Sequence, residues 1–205
     1  MRPDSVRFHN FEVLRYSVAI VYERDACVVQ SRRAFYKRFA GGKETILKIL
    51  VFSDAHGVVR GMEQAMRAHE RDMDAVIFLG DGIREAETLF SRFPNLMHTA
   101  VLGNNDFGCA GVEECVLELE GVRVFCTHGH RYGVKSGIER LLAAAQARDA
   151  GLVLYGHTHM PEDRVLNGIR LFNPGTVGCG RDRTYGVVHI EDGRIVAGVG
   201  TISLA

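Results

Sequence analysis

The chain has 205 residues, 46% hydrophobic and 24% charged, a composition that suits one folded domain with a substantial core and excludes both a disordered and a membrane-spanning chain. Its 25 Lys/Arg balance 25 Asp/Glu, so no net field draws it to nucleic acid or an anionic membrane, and long nucleic acid is not the expected partner. Five cysteines (Cys27, Cys109, Cys115, Cys126, Cys179) form no CxxC pair, which points to a reducing, cytoplasmic setting where they are small apolar residues.

Residues 1–46 differ in kind from the rest. They carry nine Lys/Arg against five Asp/Glu, seven of the 17 Phe/Tyr and only two of the 23 glycines, while residues 47–205 carry 16 basic and 20 acidic residues. The run Tyr16–Tyr22 is too short to span a bilayer and leads straight into Glu23, Arg24 and Asp25, with no small-residue cleavage site. In a bacterial gene, Gly41-Gly42-Lys43-Glu44 can be written as a purine-rich ribosome-binding run ahead of a Leu47 start codon. Residues 1–46 are therefore expected to be an extension outside the fold, making few contacts with it, and residues 47–205 to form a single domain.

From Leu47 onward, strands alternate with helices. Lys48–Ser53 is an apolar run of strand length, and Val58–Arg71 has apolar residues at helical spacing. Ala75–Leu79 reads as a second buried strand, Arg84–Phe93 as a helix stopped by Pro94, and His98–Leu102 as a third strand. Beyond Gly111, Glu114–Leu119 and Val122–Cys126 alternate about Glu120-Gly121 as a hairpin, a helix is expected over Ser136–Arg148, and Leu152–Tyr155 is another buried strand. Asn167-Gly168 and Asp192-Gly193 mark two closing hairpins. The expected fold is α/β, two mixed β-sheets facing each other with helices outside.

The chemistry-bearing residues stand where strands end, the position at which open α/β sheets build their sites. In order these are Asp54-Ala55-His56, Gly80-Asp81-Gly82, Gly103-Asn104-Asn105-Asp106, Thr127-His128-Gly129-His130, Gly156-His157-Thr158-His159 and Asn173-Pro174-Gly175-Thr176. Taken singly, Asp54 can cap a helix, Asp81 can sit in a turn and Asn104-Asn105 can supply a left-handed turn. Four histidines in His-x-His pairs behind two strands are harder to explain that way. Carboxylate and imidazole together suit Mn, Fe, Zn, Co or Ni, and the ligand count suits two divalent ions with Asp81 as the bridge.

In this order the segments resemble the calcineurin-like metallophosphoesterase superfamily, whose pattern is D-x-H, G-D, G-N-H-[DE], a histidine segment and G-H-x-H, and most of all its short YfcE-type phosphodiesterase branch. The resemblance covers residues 47–205 and implies a four-layer sandwich of two mixed β-sheets flanked by helices. It also implies one ion on Asp54, His56, Asp81 and His159 and a second on Asp81, Asn104, His128 and His157, with manganese the expected metal. One position departs from the superfamily. Asn105 stands where a histidine is thought to protonate the leaving group, and an amide cannot act as an acid; Asp106, which orients that histidine, is then left without its partner.

The resemblance thus implies a phosphodiesterase that hydrolyses small phosphodiesters or nucleotides, with a hydroxide bridging the ions as nucleophile. Asp81, Asn105 and His130 are the candidate catalytic residues, His130 being the substitute acid, and Asn105, His130, Asn173 and Arg181 the candidate substrate contacts. A protein-interaction scaffold of the same fold, like the retromer subunit with its degraded metal site, is the alternative; the completeness of the ligand set speaks against it. Open sheet edges leave room for a homo-oligomer, and no membrane partner is expected.

Overall fold

The computed structural model describes the backbone of residues 9–13, 16–23 and 26–31 and the whole of residues 46–180 and 182–203. Among the described residues three strands precede Leu47: His9–Val13 (β1), Tyr16–Glu23 (β2) and Ala26–Ser31 (β3). Then come Leu47–Phe52 (β4), helix Arg60–Ala68 (α1), Ala75–Phe78 (β5), helix Ile83–Phe90 (α2) and Met97–Ala100 (β6). A hairpin of Glu114–Leu119 (β7) and Val122–Thr127 (β8) leads through a 3-10 turn at His130–Tyr132 to helix Glu139–Gln146 (α3) and Leu152–Leu154 (β9). Pro161–Leu166 (β10) with Ile169–Pro174 (β11), and Arg183–Glu191 (β12) with Arg194–Ile202 (β13), are the closing hairpins.

One sheet has the order β13-β12-β4-β5-β6; the other continues β7-β8-β9-β11-β10 from β1-β2-β3. Both are mixed: β4, β5 and β6 run parallel while β12 is antiparallel to β4, and β8, β9 and β11 run parallel while β10 is antiparallel to β11. The expected four-layer sandwich is present. β4 shows how the sequence produces it, because alternate side chains of a strand face opposite ways. Ile49 and Val51 enter the core between the sheets with Leu117, Val124 and Leu154, whereas Leu50 and Phe52 pack outward on Met62 and Met66 of α1 and Leu89 of α2. Leu141 and Ala145 of α3 cover Phe125, Val153 and Tyr155 on the far sheet. Each such fully buried side chain contributes about 2 kcal/mol of transfer free energy, and an apolar run without alternation is what a strand buried on both faces requires.

The hairpin turns have the form their dipeptides demand. Glu120-Gly121, Asn167-Gly168 and Asp192-Gly193 pair φ values of 45° and 79°, 51° and 79°, and 45° and 79°, the doubly left-handed turn that matches the twist of paired strands. α3 is shorter than Ser136–Arg148. Ser136 N–H donates to the Gly133 carbonyl in a preceding turn, and Gly137 follows before the helix begins.

The described strands ahead of Leu47 join one of the two sheets. β3 runs parallel to β7, with Cys27 opposite Cys115 and Gln30 opposite Glu118, so the segment lengthens one sheet at its β7 edge by satisfying that strand's free backbone groups. Both faces of β7 are covered by residues beyond Leu47, however, since Leu117 lies in the inter-sheet core and Val116 in the α3 cluster. A chain begun at Leu47 is therefore expected to fold with a melting temperature within a few degrees of the full chain. Aggregation or loss of cooperative melting would instead make β1–β3 part of the domain.

Candidate metal centre

The parallel strands of each sheet gather their following loops at one edge, and backbone bonds lace these loops together. Asp54 N–H donates to the Gly80 carbonyl at 2.9 Å, His56 N–H to that of Asp81 at 3.0 Å, and Gly156 N–H to that of His128 at 3.1 Å. Val177 N–H, bonded to the Ser53 carbonyl at 3.0 Å, joins the loops of one sheet to those of the other. The approach is close enough to exclude side chains at the motif glycines: a Cβ on Gly103 would stand 2.1 Å from Asp81 Oδ1.

Asp54 and His128 are fully buried and Asp81 nearly so, while the rings of His56 and His159 reach solvent. Neither α1 nor α2 receives a side-chain cap from the residue at its N-cap, Val59 or Gly82, and Asp54 and Asp81 are not there but inside the site. Asp54, His56, Asp81, His157 and His159 all take left-handed backbone, with φ of 57°, 44°, 61°, 70° and 62°. Such a conformation costs a non-glycine residue about 1–2 kcal/mol, and strain gathered in this way marks functional geometry.

Two clusters of ligand atoms share one residue. Those of Asp54, His56 and Asp81 lie within 4.8 Å of one another, and so do those of Asp81, His128 and His157. His56 Nε2 faces His159 Nε2 at 3.2 Å, and His128 Nε2 faces His157 Nδ1 at 3.2 Å. Two nitrogens each about 2.1 Å from one ion stand roughly 3.0–3.4 Å apart at tetrahedral or octahedral angles. Asp54 Oδ1 is buried and accepts no hydrogen bond although His159 Nε2 is 3.0 Å away, and Asn104 Oδ1 is likewise buried without a donor. Orphaned oxygens beside converging nitrogens fit a pair of divalent cations.

The remaining atoms hold these candidate ligands in place. His128 Nδ1–H donates to the Leu79 carbonyl at 2.6 Å, which turns Nε2 toward Asp81 Oδ2 at 3.5 Å. Asp54 Oδ2 accepts from Ser53 Oγ at 2.5 Å and from His157 N–H at 3.0 Å. Asn105 gives its backbone N–H to Asp81 Oδ1 at 2.8 Å and its side-chain amide to Oδ2 at 2.5 Å, so it holds the central carboxylate. Asp106 is not without partners. Its carboxylate accepts the N–H groups of Asp81, Gly82 and Gly103, each at 2.8 Å, and of Ile83 at 2.9 Å, and so caps α2 from a distant loop.

The electrostatics call for a cation. Burial works to raise the Asp81 carboxyl, but hydrogen bonds from His128 and Asn105 outweigh it and hold the group well below the usual carboxylate range. Burial opposes a charge on His128 too, yet the Asp81 and Asp54 carboxylates raise its pKa. Burial, reinforced by that positive neighbour, pushes His157 down to about 4 and also lowers His130. His157 is thus a neutral imidazole near pH 7, the state that binds metal.

His130 lies beside the cluster, its ring 5.5 Å from that of His128 and 6.2 Å from that of His157, with Nδ1 buried and unpartnered. Asn173, expected against substrate, is instead fully buried. Its Nδ2 donates to the Gly156 carbonyl at 3.0 Å and Thr158 Oγ1 at 3.1 Å, and its Oδ1 accepts from Gly175 N–H at 2.9 Å; it supports the histidine loop and has no free polar atom to offer. Arg181 lies outside the described residues. Sequence reasoning missed Ser53, the bonding of Asp106 and the approach of Cys179, whose sulfur falls within 4.8 Å of ligand atoms of His56 and His159. Ser53, one residue before Asp54, was legible as its neighbour; spacing carried no signal for the other two.

The profile of the calcineurin-like phosphoesterase superfamily domain matches residues 47–193. The probable metallophosphoesterase YsnB of Bacillus subtilis is 31% identical over 150 residues, spanning 71% of this chain and 86% of its own. Phosphodiesterase YfcE of Escherichia coli is 28% identical over 190 residues, 75% of this chain and 98% of its own. A crystal structure of a predicted phosphoesterase from Streptococcus pneumoniae superposes with a TM-score of 0.67 at 29% identity, covering 78% of this chain and 91% of that one.

Proposed function

This chain belongs to the calcineurin-like phosphoesterase superfamily, and from that premise we propose that it is a dinuclear-metal phosphodiesterase acting on small phosphodiesters or nucleotides. One ion would be held by Asp54, His56, Asp81 and His159, the other by Asp81, Asn104, His128 and His157. The observation that carries this reading is the membership of Asp81 in both ligand clusters, because a carboxylate has two oxygens and could serve an ion in each. Bound there, two divalent ions would supply a water of lowered pKa and a counter-charge for the phosphoryl group.

The chain's own residues supply position, protons and room. Leu79 and Asn105 orient His128 and Asp81 by the bonds described above. His130, next to the cluster, is the side chain we assign to a phosphoryl oxygen or a leaving-group proton. A groove of about 240 Å³ adjoins His56, Asp81 and Asn105 and is lined by Arg84 and by Phe107, which is 80% exposed. An aryl or nucleobase arm of a diester would stack on that ring.

With an amide at position 105, a well-placed acid is replaced by a group that cannot give a proton, and general acids contribute about 10²–10⁴-fold. Leaving groups that need little help are therefore favoured. Protein stripped of metal and resupplied with Mn, Co, Ni, Zn or Mg is expected to hydrolyse an activated aryl phosphodiester roughly tenfold or more faster than an alkyl phosphodiester, whose leaving alkoxide needs a proton, and only with metal. Equal rates on the aryl and alkyl diesters would overturn the Asn105 argument and point to His130 as an effective acid. Two bound ions per chain without turnover of either ester would favour the interaction scaffold.

A further inference from the structure

Cys179 is half-buried in the loop after β11 and free of any disulfide. Its Sγ and the ligand nitrogens of His56 and His159 lie within 4.8 Å of one another, on the side of the centre that the superfamily pattern leaves to nitrogen and oxygen. The loop is fastened so as to bring it there. Gly178 N–H donates to the Asp54 carbonyl at 3.1 Å, and Thr176 Oγ1 donates to that same carbonyl at 2.9 Å while accepting Cys179 N–H at 3.1 Å. Gly178 presses on Ala55 so tightly that a Cβ would stand 1.9 Å from the Ala55 carbonyl oxygen. Only a residue with no side chain permits that approach, and the approach sets the next side chain beside His56. Independently, the wholly buried Asp54 Oδ1, which accepts no hydrogen bond, faces the same two imidazoles at 3.0 and 3.8 Å.

We propose that the Cys179 sulfur is an additional ligand to the ion held by Asp54, His56, Asp81 and His159. On coordination the thiol releases its proton to solvent as the sulfur–metal bond forms. The proposal rests on the dinuclear reading above and makes the two positions unlike: one offers oxygen, nitrogen and sulfur, the other only oxygen and nitrogen. Thiolate favours softer ions, so the first position would prefer zinc or cobalt, with manganese and magnesium confined to the second.

The test is to titrate the metal-free, full-length protein with cobalt(II) and record its near-ultraviolet absorption and metal content. A sulfur-to-cobalt charge-transfer band is expected, present in Cys109→Ser and absent from Cys179→Ser, with two cobalt ions per chain and unchanged circular dichroism in all three proteins. Competition with a chelator should show zinc binding weakened roughly tenfold or more in Cys179→Ser and magnesium binding unaltered. Two cobalt ions bound without the band, or a band that survives in Cys179→Ser, would overturn the sulfur ligand and leave the dinuclear centre standing. No uptake of cobalt by the unaltered chain would overturn the centre itself, and the sulfur ligand with it.

Discussion

Asp81→Asn is expected to lower turnover of an aryl phosphodiester by at least roughly 10³-fold, about 4 kcal/mol of transition-state stabilisation, and to reduce the bound metal below two ions per chain. The variant keeps the size of the side chain, so the loss would come from chemistry. One anionic oxygen of the shared ligand becomes a donor, and this donor must face either the backbone N–H or the side-chain amide of Asn105, both of which already point at Asp81. Donor against donor at that distance displaces the group that both clusters depend on. The metal-free proteins would differ in a second way. Because the folded-state pKa of Asp81 is depressed, its ionised form stabilises the fold at pH values above the unfolded carboxylate value of about 3.9, and that stabilisation is lost as pH falls toward the folded value. Melting temperature should therefore decline less steeply in acid for Asp81→Asn than for the unaltered chain. Normal turnover by the variant would remove Asp81 from the bridging role.

Asp106→Ala is expected to destabilise the protein by about 3 kcal/mol, a fall in melting temperature of roughly 6–12 °C for a chain of this size. Four backbone donors converge on this carboxylate from Asp81, Gly82, Ile83 and Gly103, and alanine accepts from none. Two of them belong to the N-terminus of α2, where an anion is favoured by the helix dipole. The other two fix the segments that carry Asp81 and Asn104. Metal affinity should fall together with stability, and Asp106→Asn, which keeps one carbonyl oxygen, should lie between. A melting temperature unchanged in Asp106→Ala would show that solvent replaces the carboxylate at no cost.

How far this was legible from the residues differs from element to element. β4 and β5 were plain because strands buried on both faces carry unbroken apolar runs, and the three hairpins because Gly follows Glu120, Asn167 and Asp192 at the left-handed turn positions. α3 was overextended because helical periodicity in Ser136–Arg148 does not register a preceding turn that takes Ser136 N–H to Gly133. The seven candidate ligands were legible because each follows a strand in a short motif whose order is shared by a family. The roles assigned to Asn105, Asp106 and Asn173 were not, since each depends on which backbone or carboxylate lies across the loop.

Local sequence alone determined the alternation of strands and helices, the outward helices and the list of residues able to bind metal, because periodicity, turn chemistry and ligand type are properties of neighbouring residues. Tertiary structure decided everything that depends on residues far apart in the chain. It put Asp81 between two imidazole pairs, filled the Asp106 carboxylate with four amides from two loops, closed Asn173 into the core, extended one sheet with β3 and carried Cys179 to His56. Those outcomes follow from close packing: bonds from the Gly80 and Asp54 carbonyls to loops distant in sequence bring backbones within 3 Å or so, and a few tenths of an ångström there select which polar atom meets which.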